Sequence, residues 1–261
     1  MISVVVPALN EADHIRDCLL SLEDQSLDRA RYEIIVVDGG SEDETASLAG
    51  EFADKVVLQK SLGIGGARRD GALAASGEML AFTDADTVVS HGWLEAAAKN
   101  LSRRDACTGP VVYLNPDMQA EMLRRWREMY RLLYHSNFYY IIGSNMAVRT
   151  DAYWSIGGHS EISLLDDYDL SLRLFKHGRR GAYDRDQVVY TSSRRTGKLL
   201  TYTATVAYGH YHYLITKDHE KLLHYPKPEE MSLSSLHSSG RRISSSLGSV
   251  HASLSRIKRI F

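Results

Sequence analysis

Two carboxylates separated by one alanine, Asp84 and Asp86, end an apolar run that begins at Met79. This pattern is typical of a buried strand that presents acidic groups at its carboxyl end. Residues two apart in a strand point to the same side, so both carboxylates would address one hard cation and, through it, a nucleotide diphosphate. The alternative is a solvated turn, because Asp is common in turns.

The composition indicates an ordinary globular protein. The chain has 261 residues, of which 44% are hydrophobic and 25% are charged, and its formal net charge is -2. This length allows one large domain with a sizeable core, or one domain with an appendage. Because proteins that coat nucleic acid by bulk electrostatics are usually strongly basic, we expect no nucleic-acid partner.

The cysteines and the hydropathy of the sequence bear on where in the cell the protein is located. Cys18 and Cys107 lie far apart in the sequence, without the spacing of a metal site or a disulfide framework, which fits a reducing compartment. The N-terminus lacks the features of a signal peptide, and no apolar run approaches the roughly 18 residues needed to span a bilayer. We therefore expect a cytoplasmic protein, with peripheral membrane contact as a further prediction.

Strands and helices alternate over the first 84 residues. Strands are predicted at residues 2–7, 34–37, 55–58 and 79–84, of which the first, second and fourth are expected to be buried. A helix is predicted after each of the first three, with Asn10 as a candidate cap and Ser41 and Glu44 as a capping box. This order predicts a parallel, doubly wound α/β sheet.

Such sheets bind ligands at the carboxyl ends of their strands, where several polar groups would meet the acidic pair. The carboxylate of Asp38 can accept a hydrogen bond from a nucleobase N–H, while Arg68 and the backbone amides of the glycine-rich stretch 62–72 can bind phosphate. These glycines match neither a dinucleotide fingerprint nor a P-loop, so a plain turn between strand and helix is the alternative.

Four ordered motifs carry a resemblance to a known family. VVVPALNEA, VVDGGSEDET, GGARRDGALAASGE and FTDADT resemble the nucleotide-binding half of the GT-A glycosyltransferases of family 2. The resemblance extends through GSNMAVRTDAYWSIGG and LLDDYDLSLRLFKHG, and so covers about residues 1–178. It implies a Rossmann-like sheet joined to an acceptor-binding half, and inverting transfer of a sugar from a nucleotide sugar.

The resemblance also implies roles for individual residues. Asp84 and Asp86 would form the Asp-x-Asp motif that binds Mn²⁺ or Mg²⁺, next to a UDP- or GDP-sugar donor. Arg69 stands where the family usually has asparagine, a departure that bears on local hydrogen bonding and on nucleotide preference. The residues that would line the nucleotide site are Pro7, Asn10, Glu11, Asp38 and Arg68.

A second acidic cluster, Asp166, Asp167 and Asp169, begins a predicted helix. Carboxylates at a helix N-terminus are favoured by capping and by the helix dipole, so a structural role is one interpretation. Three neighbouring carboxylates also repel one another, which can raise the pKa of one and help it to accept a proton. The resemblance implies that the catalytic base is Asp167, with Asp166 as the second candidate.

The remaining candidates lie in the second half of the chain. Trp154 could stack on a sugar or simply be buried, and the aromatic cluster at 134–140 could line an acceptor groove or belong to the core. Arg194 and Arg195 could clamp a donor diphosphate or an acceptor phosphate, or be solvated. A helix is predicted at 93–101, strands at 107–114 and 143–149, and an amphipathic helix at 118–133.

Two further patterns concern the C-terminal part. His210 and His212 are predicted to share one side of a strand, as a structural pair or as the source of a third metal ligand. From residue 226 the composition is serine-rich and basic, with apolar residues at three- and four-residue steps. This predicts a helix that contacts an anionic membrane surface or a second copy of the chain.

The sequence thus predicts a GT-A domain at 1–225, with a nucleotide-sugar-binding half at 1–87 and an acceptor half at 88–225, followed by an extension at 226–261. The favoured function is metal-dependent, inverting glycosyl transfer to a glycan or a lipid-linked acceptor. One alternative is a sugar-phosphate nucleotidyltransferase, although its usual glycine-rich signature does not follow residues 4–7. The other is a non-catalytic nucleotide-sugar or glycan binder.

Overall fold

A seven-stranded sheet organises the chain in the computed structural model, which describes residues 1–114, 138–192 and 199–226. Its strands are β1 (Ile2–Ala8), β2 (Tyr32–Asp38), β3 (Lys55–Leu58), β4 (Met79–Phe82), β6 (Ala106–Thr108), β8 (Met146–Arg149) and β9 (Gly181–Tyr183). Their order across the sheet is β3-β2-β1-β4-β8-β6-β9. A second sheet of three strands contains β5 (Thr87–Val89), β10 (Val189–Thr191) and β7 (Val111–Tyr113).

The main sheet is mostly parallel. The first four strands run parallel to one another, whereas β8 is antiparallel to both of its neighbours, β4 and β6. Every residue of β1 and β2 is buried, as expected for central strands covered on both faces. The predicted α/β architecture and its first four strands are therefore confirmed, and one sheet joins both predicted halves.

Helices cover both faces of the sheet. The α-helices of the described residues are α1 (Ile15–Glu23), α2 (Thr45–Ala49), α3 (Gly63–Ala74), α4 (Trp93–Leu101), α5 (Thr150–Ser155), α6 (Asp166–Lys176) and α7 (Leu199–His210). Because side chains alternate along a strand, Val4 and Val6 face a core that contains α1 and α4. Val5 faces the opposite core, with α3 and α6.

Two predicted helix caps are wrong. Helix α1 begins four residues after the expected position, and Asn10 has a positive φ of 53° and accepts a hydrogen bond from the backbone N–H of Glu42. The Ser41 hydroxyl donates to Asp38 (2.6 Å) and does not cap α2. In both cases the short polar side chain makes its hydrogen bond within the loop at the strand ends. It is then not available to cap a helix.

Two predicted strands also differ from the observed structure. The strand expected at 107–114 is divided between the two sheets at Gly109, where an added Cβ would lie 2.1 Å from the Gln187 carbonyl oxygen. The strand expected around His210 and His212 is helical, because α7 continues into a π-helix at Tyr211–Thr216. Residues two apart in a helix lie on different sides, so the predicted shared face is wrong.

Several predictions fall outside the described residues. They concern the helix at 118–133, Arg194 and Arg195, most of the aromatic cluster at 134–140, and the extension beyond Pro226. Within 1–114, 138–192 and 199–226, no helix combines the length and hydropathy that crossing a bilayer requires.

Candidate active site

A cavity of about 200 Å³ opens beyond the carboxyl end of β4. One part of its wall is charged and is formed by Arg68, Asp84, Asp86, Asp166 and Asp167. The other part is largely aromatic and aliphatic, with contributions from β7, α7 and the segment 140–144. The cavity therefore brings together both acidic clusters that the sequence singles out, although they are about 80 residues apart.

Asp84 and Asp86 lie in the turn between β4 and β5 and not within a strand. Strand β4 ends at Phe82, and the backbone N–H of Thr87 donates to the Asp84 carbonyl (3.0 Å). The prediction that both carboxylates lie within a strand and point to one side of it is therefore wrong. Both carboxylates nevertheless reach the cavity, because the turn places them there.

Arg68 joins the two acidic clusters. It is buried, with 2% of its surface exposed, and its Nη2 donates to Asp84 Oδ1 (2.7 Å) while Nη1 pairs with Asp166 Oδ2. Burial opposes its charge, but the carboxylates of Asp166 and Asp84 more than compensate and raise the pKa of Arg68. Both terminal nitrogens of Arg68 thus contact carboxylates. A phosphate bound as predicted would have to share these nitrogens with Asp84 and Asp166.

The glycine-rich stretch forms the first turns of α3 and is covered by a loop. Backbone N–H groups at its start donate to loop residues 161–163, with lengths of 2.8 to 3.2 Å. The donor and acceptor pairs are Leu62 N with Glu161 Oε2, Ile64 N with Ser163 Oγ, and Gly65 N with the Ile162 carbonyl. These amides are therefore not available to a phosphate, contrary to the prediction from sequence.

Close packing explains why this stretch is rich in glycine. A Cβ at Gly65 would lie 2.2 Å from the Ser160 carbonyl oxygen, and one at Gly63 would lie 2.8 Å from the Ile162 carbonyl carbon. Gly63 also has a positive φ of 72°. The glycines let the loop that precedes the second acidic cluster rest directly on α3.

The acidic pair at the start of α6 has two different environments. Asp166 is 5% exposed, and burial raises its pKa to about 7; Arg68 acts in the opposite direction, and Asp167 and Asp84 add to the increase. Asp167 is partly exposed, and its Oδ2 accepts hydrogen bonds from the Tyr140 hydroxyl and the Gly143 N–H, both 3.1 Å long. Asp166 is thus an internal ion-pair partner, whereas Asp167 faces the cavity more openly.

The third carboxylate of this cluster, Asp169, is an anchor for the surrounding structure. It accepts hydrogen bonds from Ser160 (2.7 Å), Tyr213 (2.6 Å) and both Nε and Nη2 of Arg173 (2.9 and 2.5 Å). Burial raises its pKa, but these donors outweigh burial, so the pKa of Asp169 is lowered. Asp169 does not line the cavity, and its contacts fix the first turn of α6.

Backbone conformation adds a second constraint at this turn. Leu165, which immediately precedes α6, has a φ of 66°, a left-handed conformation that is unusual for a leucine. The adjoining N–H groups of Ser163 and Leu164 both donate to the Leu222 carbonyl, at 2.7 and 3.0 Å. The segment that ends in the acidic pair is therefore held between α3 and the C-terminal part of the described chain.

Other predicted site residues lie outside the cavity wall. Asp38 accepts hydrogen bonds from Ser41 and the Gly40 N–H, and with Pro7, Asn10 and Glu11 it occupies the strand ends of β1 and β2. Trp154 packs edge-on against Tyr153, with ring centroids 4.9 Å apart. Nucleotide binding by the first group and sugar stacking by Trp154 remain predictions.

Sequence reasoning missed most of the aromatic wall. Among the described residues, five tyrosines from separate parts of the chain line the cavity: Tyr113, Tyr140, Tyr168, Tyr202 and Tyr225. No local motif marks them, because they come together only when β7, α6 and α7 pack around the cavity. His210 lines the same wall, so one residue of the predicted histidine pair does reach the site.

The family resemblance implies a divalent cation at the turn that carries Asp84 and Asp86. Among the described residues, no three His, Cys, Asp or Glu side chains form a metal-binding group. A nucleotide-bound Mg²⁺ or Mn²⁺ usually takes only one or two protein carboxylates, together with phosphate oxygens and water. Asp86 and Asp84 supply hard oxygen ligands of this number at the cavity, and so their chemistry fits such a cation.

Fold and site together define an α/β protein with a carboxylate-lined cavity at the carboxyl ends of its parallel strands. The family model for glycosyl transferase family 2 matches residues 3–157, and the chain belongs to this family. The glycosyltransferase AglE of Haloferax volcanii is 34% identical over 124 residues, which are 44% of this chain and 41% of AglE. A dolichyl-phosphate beta-glucosyltransferase of Drosophila melanogaster is 30% identical over 158 residues, 54% of this chain and 48% of that enzyme.

Both alignments thus cover less than half of the relative's length. Among solved structures, the mannosyltransferase PcManGT from Pyrobaculum calidifontis, in complex with GDP-Man and Mn²⁺, has a TM-score of 0.65. It is 21% identical in sequence, and the match covers 97% of this chain and 79% of PcManGT. This likeness supports the GT-A fold.

Proposed function

We propose that this protein is an inverting, divalent-cation-dependent glycosyltransferase that moves a sugar from a nucleoside diphosphate sugar to an acceptor hydroxyl. The observation that carries the proposal is the meeting of four carboxylates, Asp84, Asp86, Asp166 and Asp167, in one cavity. One pair suits a metal-bound diphosphate, and the other suits proton transfer. Membership of glycosyl transferase family 2 supports the reaction class.

The reaction is an in-line displacement. The acceptor oxygen forms a bond to the anomeric carbon as the bond from that carbon to the diphosphate oxygen breaks, which inverts the anomeric configuration. The hydroxyl proton passes to a carboxylate of the enzyme. A divalent cation held by Asp86, with Asp84, would neutralise charge on the leaving diphosphate when bound.

Asp167 is the proposed base. Its partial exposure at the cavity leaves it accessible to an acceptor hydroxyl, and its bonds from Tyr140 and Gly143 fix its orientation. Asp166 is the second candidate, since burial raises its pKa to about 7. Its ion pair with Arg68 favours a role in positioning instead, because a carboxylate engaged by a guanidinium is a weaker proton acceptor.

Donor and acceptor are proposed only by class. A UDP- or GDP-sugar is the expected donor. The presence of GDP-Man in the PcManGT complex supports a GDP-sugar as one of these two candidates. A glycan or a lipid-linked molecule is the expected acceptor.

A donor screen tests this function. The full chain is incubated with UDP-, GDP- and dTDP-sugars, with Mn²⁺ or with excess chelator, and nucleoside diphosphate release is measured. We expect release from one donor class, and only with the cation. Donor binding without release or transfer would identify a non-catalytic binder, and formation of a nucleotide sugar from sugar phosphate and nucleoside triphosphate would identify a nucleotidyltransferase.

A further inference from the structure

His159 is a buried histidine in the loop between α5 and α6, next to the ion pair of Arg68 and Asp166. Only 1% of its surface is exposed. Among the described residues its Nε2 has no hydrogen-bond partner. This nitrogen lies 3.9 Å from Asp166 Oδ2, the same oxygen that pairs with Arg68 Nη1. A buried polar nitrogen without a partner costs free energy, so its position calls for a physical reason.

Tyr153 determines which nitrogen of this ring carries the proton. The Tyr153 hydroxyl accepts a hydrogen bond from the His159 backbone N–H and lies 3.0 Å from His159 Nδ1. Burial raises the pKa of Tyr153, so the phenol keeps its proton, and Nδ1 is the acceptor that the described residues offer it. Burial, together with the charges of Arg68 and Arg173, holds the pKa of His159 well below its usual value. The ring is therefore neutral, and its one proton sits on Nε2, the nitrogen next to Asp166.

The imidazole is fixed in this position by its neighbours. It packs edge-on against Phe82, the last residue of β4, with ring centroids 5.1 Å apart. Arg173 Nη1 donates to the carbonyl of Gly158, the preceding residue, at 2.6 Å and so holds the loop. If the distance between His159 Nε2 and Asp166 is to shorten, the carboxylate has to move and not the imidazole.

Nucleotide binding provides a reason for Asp166 to move. Its partner Arg68 also contacts Asp84 and lines the cavity, so a diphosphate at the acidic turn would compete for the same guanidinium. A buried carboxylate that loses part of its cation is destabilised unless another hydrogen-bond donor replaces it. A shift of about 1 Å would bring Asp166 Oδ2 to the usual N–H···O distance of about 2.9 Å from His159 Nε2.

We propose that His159 is a positioning residue, whose Nε2–H receives Asp166 when a nucleotide diphosphate draws the Arg68 guanidinium toward itself. This inference rests on the proposed glycosyl transfer and adds a residue to the nucleotide-sugar site. Without nucleotide, Asp166 pairs with Arg68, and Nε2–H has no acceptor. With nucleotide, Asp166 accepts from His159, and the first turn of α6, which carries the proposed base Asp167, stays in place.

The first test observes the imidazole in the unaltered full chain. Two-dimensional NMR of the ¹⁵N-labelled protein at pH 7 resolves the ring nitrogens of the histidines. The His159 signals are those that are missing from His159 variants. We expect the neutral Nε2–H tautomer without nucleotide. Titration with UDP, GDP or dTDP, each with diamagnetic Mg²⁺, should move the Nε2–H proton signal downfield as a hydrogen bond to a carboxylate forms.

Two substitutions separate the hydrogen bond from the shape of the ring. His159→Gln keeps an N–H donor in place of Nε2, whereas His159→Phe keeps a planar ring without a donor. We expect His159→Phe to raise the Kd of the Mg²⁺-bound nucleoside diphosphate about tenfold or more, the effect of one hydrogen bond to a charged group. His159→Gln should recover most of the affinity. Calorimetric titration measures both.

An exposed histidine provides the matched control for these variants. His91 is exposed and lies outside the described lining of the cavity. His91→Phe should therefore bind the nucleotide like the unaltered chain. Urea unfolding of each variant shows whether it folds, and the NMR titration of the unaltered chain decides the matter if a His159 variant does not.

The outcomes distinguish the inference from the proposed function. A Nδ1–H tautomer, or nucleotide binding that leaves the Nε2–H signal unmoved, overturns the inference. If His159→Phe binds nucleotide as tightly as the unaltered chain, the shape of the ring suffices and the inference is wrong, while glycosyl transfer still stands. If none of the three nucleotides binds with Mg²⁺ and no donor sugar is hydrolysed, the proposed function is overturned, and the inference with it.

Discussion

Asp166 is held by the guanidinium of Arg68, a residue 98 positions earlier in the chain. Through its other terminal nitrogen Arg68 also holds Asp84, and so one buried cation connects the two acidic clusters of the cavity. Gly143 makes this possible, because a Cβ there would lie 2.7 Å from Arg68 Nη2. The proposed metal-binding turn and the proposed base motif are therefore positioned by the same side chain.

Removing Arg68 should destabilise the fold as well as the site. Arg68→Met leaves Asp84 and Asp166 without their cation, and breaking a buried ion pair in this way costs about 3–5 kcal/mol. Arg68→Lys keeps the charge but cannot bridge both carboxylates with a planar fork, so we expect an intermediate loss. Urea unfolding at pH 7 measures both.

The neighbouring arginine provides the control for this experiment. Arg69 is partly exposed, and its Nη1 lies 3.9 Å from Glu161 Oε1, a surface contact. Arg69→Met should change the unfolding free energy by less than about 1 kcal/mol. Equal losses in Arg68→Met and Arg69→Met would show that the bridge contributes nothing beyond an ordinary surface arginine.

The metal proposal predicts a specific defect for Asp86→Asn. The variant keeps its shape but loses the charged oxygen ligand, so transfer should fall about a hundredfold or more while the unfolding free energy barely changes. Calorimetric titration with Mn²⁺ in the presence of nucleoside diphosphate should show weaker binding. Asp17→Asn, an exposed carboxylate on α1, is the control. Full activity of Asp86→Asn, or of the unaltered chain in excess chelator, would refute a catalytic metal.

The assignment of the base is tested by two single-atom exchanges. Asp167→Asn cannot accept the proton and should lower turnover about a hundredfold or more, with donor affinity nearly unchanged. Asp166→Asn should lower turnover less than Asp167→Asn does. It should lower the free energy of unfolding more, because Arg68 loses a charged partner. A loss of donor affinity in Asp167→Asn would make Asp167 a binding residue. If Asp166→Asn alone abolished turnover, the base would be one residue earlier than proposed.

Asp169 and Tyr213 should stabilise the site in a pH-dependent way. The pKa of Asp169 is lowered in the folded protein, because its hydrogen-bond donors outweigh burial. Its contribution is therefore present above the unfolded value of about 3.9 and is lost as pH falls through the folded pKa. Asp169→Asn should flatten the decline of the unfolding free energy between about pH 5 and pH 2.

Tyr213→Phe isolates one of these donors. It removes a 2.6 Å hydrogen bond to a buried carboxylate, so we expect a loss of about 1.5–3 kcal/mol, with Tyr190→Phe as the exposed control. In the Asp169→Asn background the same change should cost clearly less. Additive losses in the double variant would show that the two side chains are not coupled.

The sequence was informative where chemistry and periodicity are local. The apolar runs of β1 and β2 predicted buried parallel strands, and the acidic pairs predicted the charged side of the cavity. Arg68 was expected at the nucleotide, but its partner Asp166 is 98 residues away, and no local pattern specifies that contact. The tyrosine wall escaped prediction for the same reason, since its members share a surface only after α7 packs against α6.

The glycine-rich stretch packs against the loop before Asp166, where the sequence predicted contacts with phosphate. A methyl group at Gly65 would lie 2.2 Å from the Ser160 carbonyl oxygen, a backbone atom that can move only if the loop before Asp166 moves. Gly65→Ala should therefore destabilise the fold by about 1–3 kcal/mol, although alanine normally favours a helix over glycine. Gly50→Ala is the control, because Gly50 is exposed, has a helical φ of -65°, and an added Cβ would approach nothing closer than 3.4 Å; it should be neutral or stabilising in urea unfolding. If Gly65→Ala were as stable as Gly50→Ala and equally active, the loop would not rest on α3 as described, and phosphate binding by the freed amides would regain support.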